Sequence, residues 1–150
     1  IHTVAAGGGS ICDFDGVQWQ VGPQSAGAEP GPACYGRGGP LTVTDLNLLL
    51  GRIDASRFPF ELREDHARQR LEELAERARS SSTTHAPSAD ALDPTTLASG
   101  LRRIANEHMA AAIRAISIAQ GADPRDHVLI GFGGAGGQHL CEIADILEIS

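Results

Sequence analysis

The sequence has 150 residues, of which 41% are hydrophobic and 4% aromatic, a composition that fits one domain with a modest core and is not that of a disordered or membrane protein. Its formal net charge of −7 argues against nucleic acid or an anionic membrane surface as the main partner. All 12 basic residues are arginines, which excludes a phosphate-loop lysine and a Schiff-base lysine.

A β-hairpin is the first element in chain order. Asp15-Gly16 is a two-residue turn that tolerates positive φ at both positions. This turn would place Phe14 opposite Val17. The expected apolar face consists of Cys12, Phe14, Val17, Trp19 and Val21.

Glycines precede the hairpin, where Gly7, Gly8 and Gly9 are followed by Ser10. Three successive glycines remove every side chain that would keep a ligand or another backbone away. This segment is either a loop of a ligand site or a tight crossover between strands, and the residues leave both open.

A long loop follows over residues 22–40, too rich in Gly and Pro for a helix or a strand ladder. Ordered loops of this length usually serve function, so Cys34 and Tyr35 are candidate site residues. Cys34 is the strong nucleophile of the loop, although a free cysteine is more often a small buried apolar group.

The next predicted element is a helix that starts near Thr44, a plausible N-cap, with Leu46, Leu49 and Leu50 on one face. Asp45 would lie in its first turn. This carboxylate either caps the helix or points at a metal or substrate, with capping slightly favoured.

Two longer helices are predicted from residue spacing. The first covers roughly residues 64–79, with a Glu73 to Arg77 pair at i, i+4. The second begins at Asp93-Pro94, ends at Gly121 and is expected to be buried over residues 109–119. Its Asn106 and Glu107 reach either a ligand or a neighbouring helix end, and we favour the helix end. Residues 80–91 between the helices are expected to form a surface excursion. The first helix is expected to bury Ala67, Leu71, Leu74, Ala75 and Ala78.

The closing segment carries the most informative pattern. Residues 127–132 predict a buried strand, residues 138–149 predict a helix, and a glycine turn lies between them. A glycine turn before a helix offers free backbone N–H groups to an anion, so the turn is a candidate nucleotide site. It consists of Gly133, Gly134, Ala135, Gly136 and Gly137.

Two other interpretations of this segment stay open. Residues 131–136 satisfy GxGxxG, which favours a dinucleotide-binding oxidoreductase, but this motif is weak alone and normally opens a domain. His139 and Glu142 lie one turn apart and could ligate a metal, but a third ligand is not evident.

Cys12, Cys34 and Cys141 form no CxxC and leave one cysteine unpaired, which predicts a reducing compartment, by default the cytoplasm. The sequence begins with Ile-His-Thr and carries no leader pattern. We therefore expect a piece of a longer polypeptide.

Five segments of the chain share motifs with a known family. They are Thr3-Val-Ala-Ala-Gly-Gly-Gly-Ser-Ile11, Val21-Gly-Pro-Gln-Ser-Ala-Gly-Ala28, Pro30-Gly-Pro-Ala-Cys-Tyr35, Thr42-Val-Thr-Asp45 with Asn47, and Phe132-Gly-Gly-Ala-Gly-Gly-Gln-His139. Together they resemble the hydantoinase A and 5-oxoprolinase family. The resemblance covers nearly the full chain except about residues 57–93, and the Gly-Gly-Gln-His ending and Ala105-Asn106-Glu107 are most similar to ATP-dependent 5-oxoprolinases.

The resemblance implies an α/β fold, specifically part of an actin-like ATPase lobe of the sugar-kinase and heat-shock type. It implies ATP and Mg²⁺ as cofactors, the glycine turn at residues 133–137 as the adenosine-side loop, and Asp45 as a catalytic candidate. Residues 7–10, Cys34, Tyr35 and His139 would belong to the substrate site.

The activity implied is ATP-dependent hydrolysis of a cyclic amide, with phosphorylation of the amide oxygen before water opens the ring. The substrate would be 5-oxoproline, a hydantoin, or a ketone that is carboxylated. The remaining alternatives are a dinucleotide-binding fragment and a non-catalytic structural lobe.

The partners implied are the rest of the polypeptide, a hydantoinase B-like domain or subunit, and further copies in an oligomer. Within a partial hydantoinase A-like domain we distinguish residues 1–56 (glycine-rich hairpin and loop), 57–92 (helix and linker) and 93–150 (helix, strand, glycine turn, helix). The family's Asp-Gly-Gly phosphate loops are absent from the sequence, so the piece alone is expected to be inactive.

Overall fold

The computed structural model describes residues 6–81, 88 and 90–150. In these residues the chain is a mixed α/β structure in which an antiparallel hairpin packs with helices. The hairpin strands are β1 (Ser10–Phe14) and β2 (Trp19–Ser25), and the helices are α1 (Val43–Leu49), α2 (Glu64–Arg79), α3 (Pro94–Ala119) and α4 (Leu140–Leu147).

The main core lies between the hairpin and the first three helices. Cys12, Phe14 and Val21 contribute the hairpin face, as the alternation predicted. The α3 helix contacts all the other helices and β2, so it is the central element of the structure. The helical side of the core consists of Val43, Leu46, Leu71, Leu74, Ala75, Ala78, Leu97, Ala98, Leu101 and Ala105.

The expected register of the hairpin is wrong by two residues on the second strand. Phe14 pairs with Trp19, and the loop between the strands has four residues. The Asp15 carboxylate explains the wider loop, because its Oδ1 accepts hydrogen bonds from the N–H groups of Val17 (2.8 Å) and Gln18 (2.9 Å). Val17 is consequently exposed instead of lying on the apolar face.

Helix α2 is confirmed with its expected bounds and its expected buried stripe. The predicted Glu73 to Arg77 pair is wrong, because each side chain has another partner. Arg70 donates to Glu73 at 2.8 Å, and Arg77 reaches across to the Asp13 carboxylate on β1. Arg77 therefore ties the helix to the hairpin instead of to its own next turn. The surface excursion expected over residues 80–91 falls largely outside the described residues.

Helix α3 begins and ends as predicted. The Asp93 side chain accepts from the Thr96 N–H at 3.1 Å, Pro94 is the first helical residue, and Gly121 follows the end with a φ of +69°. The expected burial of residues 109–119 is wrong. In the described structure the first half of the helix is more buried than the second, and Ile118 is 66% exposed. The hairpin, α1 and α2 pack on the half before Ala110, whereas α4 packs around Met109, Ala110 and Ile113.

Residues 127–132 do not form the predicted buried strand. Within the described part of the chain this segment has no strand partner, and Val128, Ile130 and Phe132 are 80%, 78% and 91% exposed. Leu129 instead packs on the cluster around α4. A strand is formed by hydrogen bonds to a neighbour, so an apolar alternation alone is not sufficient.

Helix α4 is shorter than the predicted range of 138–149. The segment Gly136–Gln138 is a separate 3₁₀ turn, and Glu148 ends the helix with a left-handed φ of +58°. None of the helices in the described ranges has both the length and the apolar content that crossing a bilayer requires.

Candidate functional site

Two glycine turns lie side by side at the start of α1. The Gly8 carbonyl accepts hydrogen bonds from the Thr44 N–H at 2.8 Å and from the Thr44 hydroxyl at 2.9 Å. A Cβ at Gly8 would lie 3.5 Å from the Ala135 Cβ. The turn at residues 7–10 and the turn at residues 133–137, far apart in sequence, are thus neighbours.

The first turn is closed by its own polar groups. The Gly7 N–H donates to the Ser10 Oγ at 3.0 Å, and the Ser10 N–H donates back to the Gly7 carbonyl at 3.0 Å. The Gly9 carbonyl accepts from the Ala26 N–H at 2.9 Å, which attaches the turn to the end of β2. The two sequence-based interpretations of this turn both remain compatible with this geometry.

The second turn, at residues 133–137, has open space on its surface. A Cβ added at Gly133, Gly134, Gly136 or Gly137 would meet no atom within 4 Å, and Gly133 has a φ of +91°. Packing in the described structure therefore does not require four small residues here. Because these residues lack side chains, a ligand can approach the backbone closely.

Asp45 lies in the first turn of α1 and is completely buried. Thr42 is the N-cap, so the expected cap at Thr44 is wrong by two residues. The Asp45 Oδ2 accepts from the Thr42 N–H at 2.7 Å and the Thr42 hydroxyl at 2.8 Å, as the acidic member of a capping box. The same carboxylate accepts from the N–H groups of Ala33 (3.1 Å) and Cys34 (2.7 Å).

Cys34 and Tyr35 lie in the 3₁₀ turn Ala33–Tyr35 that Asp45 holds. Cys34 is fully buried, and burial, followed by the nearby Asp45 charge, raises the pKa of its thiol well above the usual range. Tyr35 packs against Phe58 and Phe60, with ring centroids 6.0 and 5.0 Å apart. This geometry favours a structural role for the turn, because a protonated, inaccessible thiol is a poor nucleophile.

We predict that Asp45→Asn destabilises the protein by about 1–3 kcal/mol, because the amide would turn one of its N–H groups toward a backbone N–H donor. Chemical denaturation would measure this loss, with Glu72→Gln on the exposed face of α2 as the control. Steady-state turnover of the longer polypeptide that carries Asp45→Asn tests the catalytic assignment separately. Normal turnover would restrict Asp45 to structure.

A buried polar cluster lies beneath the turn at residues 133–137. It joins α1, α3 and the start of α4, and no buried side-chain N or O atom in the described residues lacks a hydrogen-bond partner. The cluster explains why polar groups interrupt helix faces that are otherwise apolar. Its members are Asn47, Arg102, Asn106, Gln138, His139 and Glu142.

Arg102 is the centre of this cluster, although it is only 5% exposed. Its Nε donates to the Asn47 Oδ1 at 2.8 Å, its Nη1 donates to Glu142, and its Nη2 donates to the Gln138 carbonyl at 2.9 Å. Burial alone would raise the pKa of the Glu142 carboxyl. The hydrogen bond and charge of Arg102, the charge of Arg52 and the hydrogen bond of Asn106 outweigh burial and lower that pKa.

The neighbours of His139 determine its tautomer. The Asn47 Nδ2 lies 3.2 Å from Nε2, while the Asn106 Oδ1 lies 2.7 Å from Nδ1 and the Asn106 amide donates to Glu142. The ring therefore accepts at Nε2 and donates from Nδ1. Burial and then the Arg102 charge lower the pKa of His139, so the neutral ring is the stable form.

The site residues expected from the sequence fall into two groups. The first group lies along one side of α1 and consists of residues 7–10, residues 133–137 and His139. The second group, Cys34 and Tyr35, packs in a separate apolar cluster with Leu48. Among the described residues no group of three or more His, Cys, Asp or Glu side chains is placed to hold a metal. Both ring nitrogens of His139 already face asparagine side chains, which does not favour the metal interpretation.

Asn106 reaches the start of α4, as the sequence favoured, and bonds there to both Glu142 and His139. Arg102 was missed as a functional candidate. The signal available was its four-residue spacing between Ala98 and Asn106, which places it on the buried face, whereas Arg103 lies on the exposed face.

Comparison with known proteins now assigns the class. The family model for hydantoinase/oxoprolinase matches residues 1–150, and the chain belongs to this family. It is 47% identical to the 5-oxoprolinase PfmaA of Pestalotiopsis fici over 99% of the chain, and 46% identical to 5-oxoprolinase of Saccharomyces cerevisiae, also over 99%. The chain spans 12% of the length of each of these two relatives.

A further relative is caprolactamase subunit alpha of Pseudomonas jessenii, which is 40% identical over 97% of this chain and 20% of its own length. The dinucleotide-binding alternative is not favoured. In the described structure the GxGxxG stretch does not follow a paired strand, which a dinucleotide-binding βα turn requires.

Proposed function

We propose that this chain is part of an ATP-dependent enzyme that hydrolyses a cyclic amide, and that its turn at residues 133–137 contacts the nucleotide. The observation that carries the proposal is the open glycine turn that precedes α4. Arg102 of the buried polar cluster donates a hydrogen bond to the Gln138 carbonyl at the end of this turn. Such a turn allows a phosphate or nucleoside to approach the backbone closely. Family membership supports the reaction class.

The chemistry proposed begins with attack of the amide oxygen of the substrate on the γ-phosphorus of ATP, which releases ADP. Water then adds to the activated carbon, and the ring C–N bond breaks as nitrogen takes a proton, which leaves an acyl phosphate. A second water hydrolyses the acyl phosphate to the carboxylate and free phosphate. Among the described residues no group of three or more His, Cys, Asp or Glu side chains is placed to hold the Mg²⁺ that the family implies. The contacts of Asp45 support a role in holding the adjacent loop in place, and turnover of Asp45→Asn tests its catalytic assignment.

The architecture proposed is part of an actin-like ATPase lobe, with the phosphate loops and partner lobes in the longer polypeptide. The relative named caprolactamase subunit alpha supports a partner subunit in the assembly. A cytoplasmic location is part of the same proposal. It is supported by Cys12, Cys34 and Cys141, which are all free thiols and form no disulfide with one another.

The test is ADP release by the longer polypeptide that carries this chain, assembled with its partner subunit where it has one. Release should rise when 5-oxoproline, a hydantoin, or a ketone with bicarbonate is added, and the substrate that stimulates it identifies the reaction. Stimulation by the ketone alone would assign a carboxylase. A polypeptide that neither binds ATP nor releases ADP with any of these would leave the non-catalytic lobe as the function.

The neighbouring residues Gly7 and Gly8 give a paired prediction, because only Gly8 is closely packed. A methyl group at Gly8 would approach the Thr44 Oγ1 to 2.8 Å, whereas one at Gly7 would meet nothing within 4 Å. Gly8→Ala should therefore displace the turns relative to each other and weaken ATP binding by about 5- to 30-fold. Gly7→Ala should change it less than about twofold. Isothermal titration with ATP measures both, and equal affinities would show that the turns act independently.

A further inference from the structure

We infer that Arg102 is a positioning residue for the nucleotide turn, holding the turn at residues 133–137 in its binding shape through the Gln138 carbonyl. This inference rests on the proposed function for its consequence in catalysis. Its structural part concerns only how the turn is held.

The guanidinium of Arg102 donates directly to the end of the turn. Its Nη2 bonds at 2.9 Å to the carbonyl of Gln138, the last residue of the 3₁₀ turn Gly136–Gln138. The four glycines of the turn gain little from side-chain packing, and Gly133, Gly134, Gly136 and Gly137 have open space around them. A hydrogen bond from a buried cation at the end of such a segment therefore contributes much of its order.

Two further acceptors hold the guanidinium itself in one orientation. Glu142 on α4 accepts from Nη1, and the Asn47 Oδ1 on α1 accepts from Nε at 2.8 Å. Three acceptors on three different segments match the planar fork of arginine, which the compact ammonium of lysine cannot reproduce. The cluster thus discriminates between two side chains of equal charge.

Both glycine turns are connected to the Arg102 guanidinium through α1. Asn47 donates from Nδ2 to the Gln138 Oε1 at 2.8 Å, and one turn earlier on the same helix Thr44 holds the Gly8 carbonyl. Arg102 therefore fixes α1 and the end of the second turn relative to each other. Its side chain is only 5% exposed and its hydrogen bonds go to the protein, so it acts through the turns.

The experiment compares Arg102→Lys with Arg103→Lys in the longer polypeptide that carries this chain. Arg103 is the adjacent residue, 80% exposed, with Glu107 as its ion-pair partner at 3.8 Å. Hydrogen–deuterium exchange without nucleotide over residues 133–138 is protected at the Gln138 N–H, which donates to the Ala135 carbonyl at 3.1 Å. Exchange of this protected group should be about tenfold faster or more in Arg102→Lys and unchanged in Arg103→Lys. This readout does not depend on any ATPase activity.

A second readout tests the catalytic consequence. Arg102→Lys should raise the KM for ATP about tenfold and leave the KM for the cyclic amide unchanged. If wild type shows no ATP dependence while the exchange difference persists, the proposed function fails and the positioning role stands. If exchange over residues 133–138 matches that of Arg103→Lys, the positioning role is overturned whatever the activity.

Should Arg102→Lys fail to fold, Glu142→Gln is the second variant, because it removes the negative charge that pairs with the guanidinium and leaves Arg102 in place. Exchange over residues 133–138 should then rise about threefold or more relative to Glu107→Gln, the exposed control on α3. Faster exchange confined to this segment supports the inference. A uniform rise along the whole chain, or none, overturns it.

Discussion

Replacing Gly134 by valine in the longer polypeptide should raise the KM for ATP about tenfold or more while leaving the folded fraction largely intact. A valine side chain has room in the described structure, because no atom lies within 4 Å of a Cβ at this position and the backbone does not adopt a left-handed φ. The unfolding free energy should therefore change by less than about 0.5 kcal/mol. The reason for the kinetic effect is that the side chain occupies the space that the nucleotide would enter.

Gly100→Val is the matched control for this prediction. Gly100 is also exposed with open space around it, but it lies on α3 away from the turn. It should leave the KM for ATP unchanged. Gly133 is unsuitable as the test position, since its φ of +91° would strain any side chain and confuse folding with binding. Unchanged ATP affinity in Gly134→Val would remove the turn from the nucleotide site.

The isolated 150-residue piece should self-associate, be marginally stable and show no measurable ATPase activity. The residues that favour association are Val128, Ile130 and Phe132, which alternate along an extended segment and are 78% to 91% exposed. An exposed apolar alternation of this kind pairs readily with another chain. Sedimentation velocity at increasing concentration should show a rising mass.

A variant of the piece that carries Val128→Thr, Ile130→Thr and Phe132→Ser should shift this distribution toward monomer. Leu129→Thr is the contrasting control, because Leu129 packs on the α4 cluster and its loss should lower stability without removing the exposed face. The prediction is wrong if the unmodified piece is a monodisperse monomer that unfolds cooperatively. ATP turnover by the piece alone would also show that the site is misplaced.

The parts of the fold that sequence predicted well are those determined locally. The i, i+3 and i+4 spacing in α2 gave its bounds and its buried stripe, and Asp93-Pro94 with Gly121 gave both ends of α3. Helix hydrogen bonds lie within the segment itself, and capping residues act on their own first turn. These signals are therefore present in a single stretch of sequence.

Most of the parts that sequence did not predict depend on distant partners, although the hairpin register depends on a local side-chain contact. The hairpin register follows from two hydrogen bonds of the Asp15 side chain, and the strand expected over residues 127–132 has no pairing neighbour in the described structure. Proximity of residues 7–10 to residues 133–137 also could not be inferred from spacing. Arg102 was missed because a charge beside Arg103 resembles a solvated helix face until α4 is packed against it.

The three thiols differ in a way that gives this chain a chemical reporter. Cys12 and Cys34 are buried, and burial raises the pKa of both, so neither forms a reactive thiolate near neutral pH. Cys141 is exposed and lies two residues after His139, in the first turn of α4. Within this chain a maleimide dye would therefore attach selectively beside the glycine turn, and its emission would follow movements of that turn without an engineered cysteine.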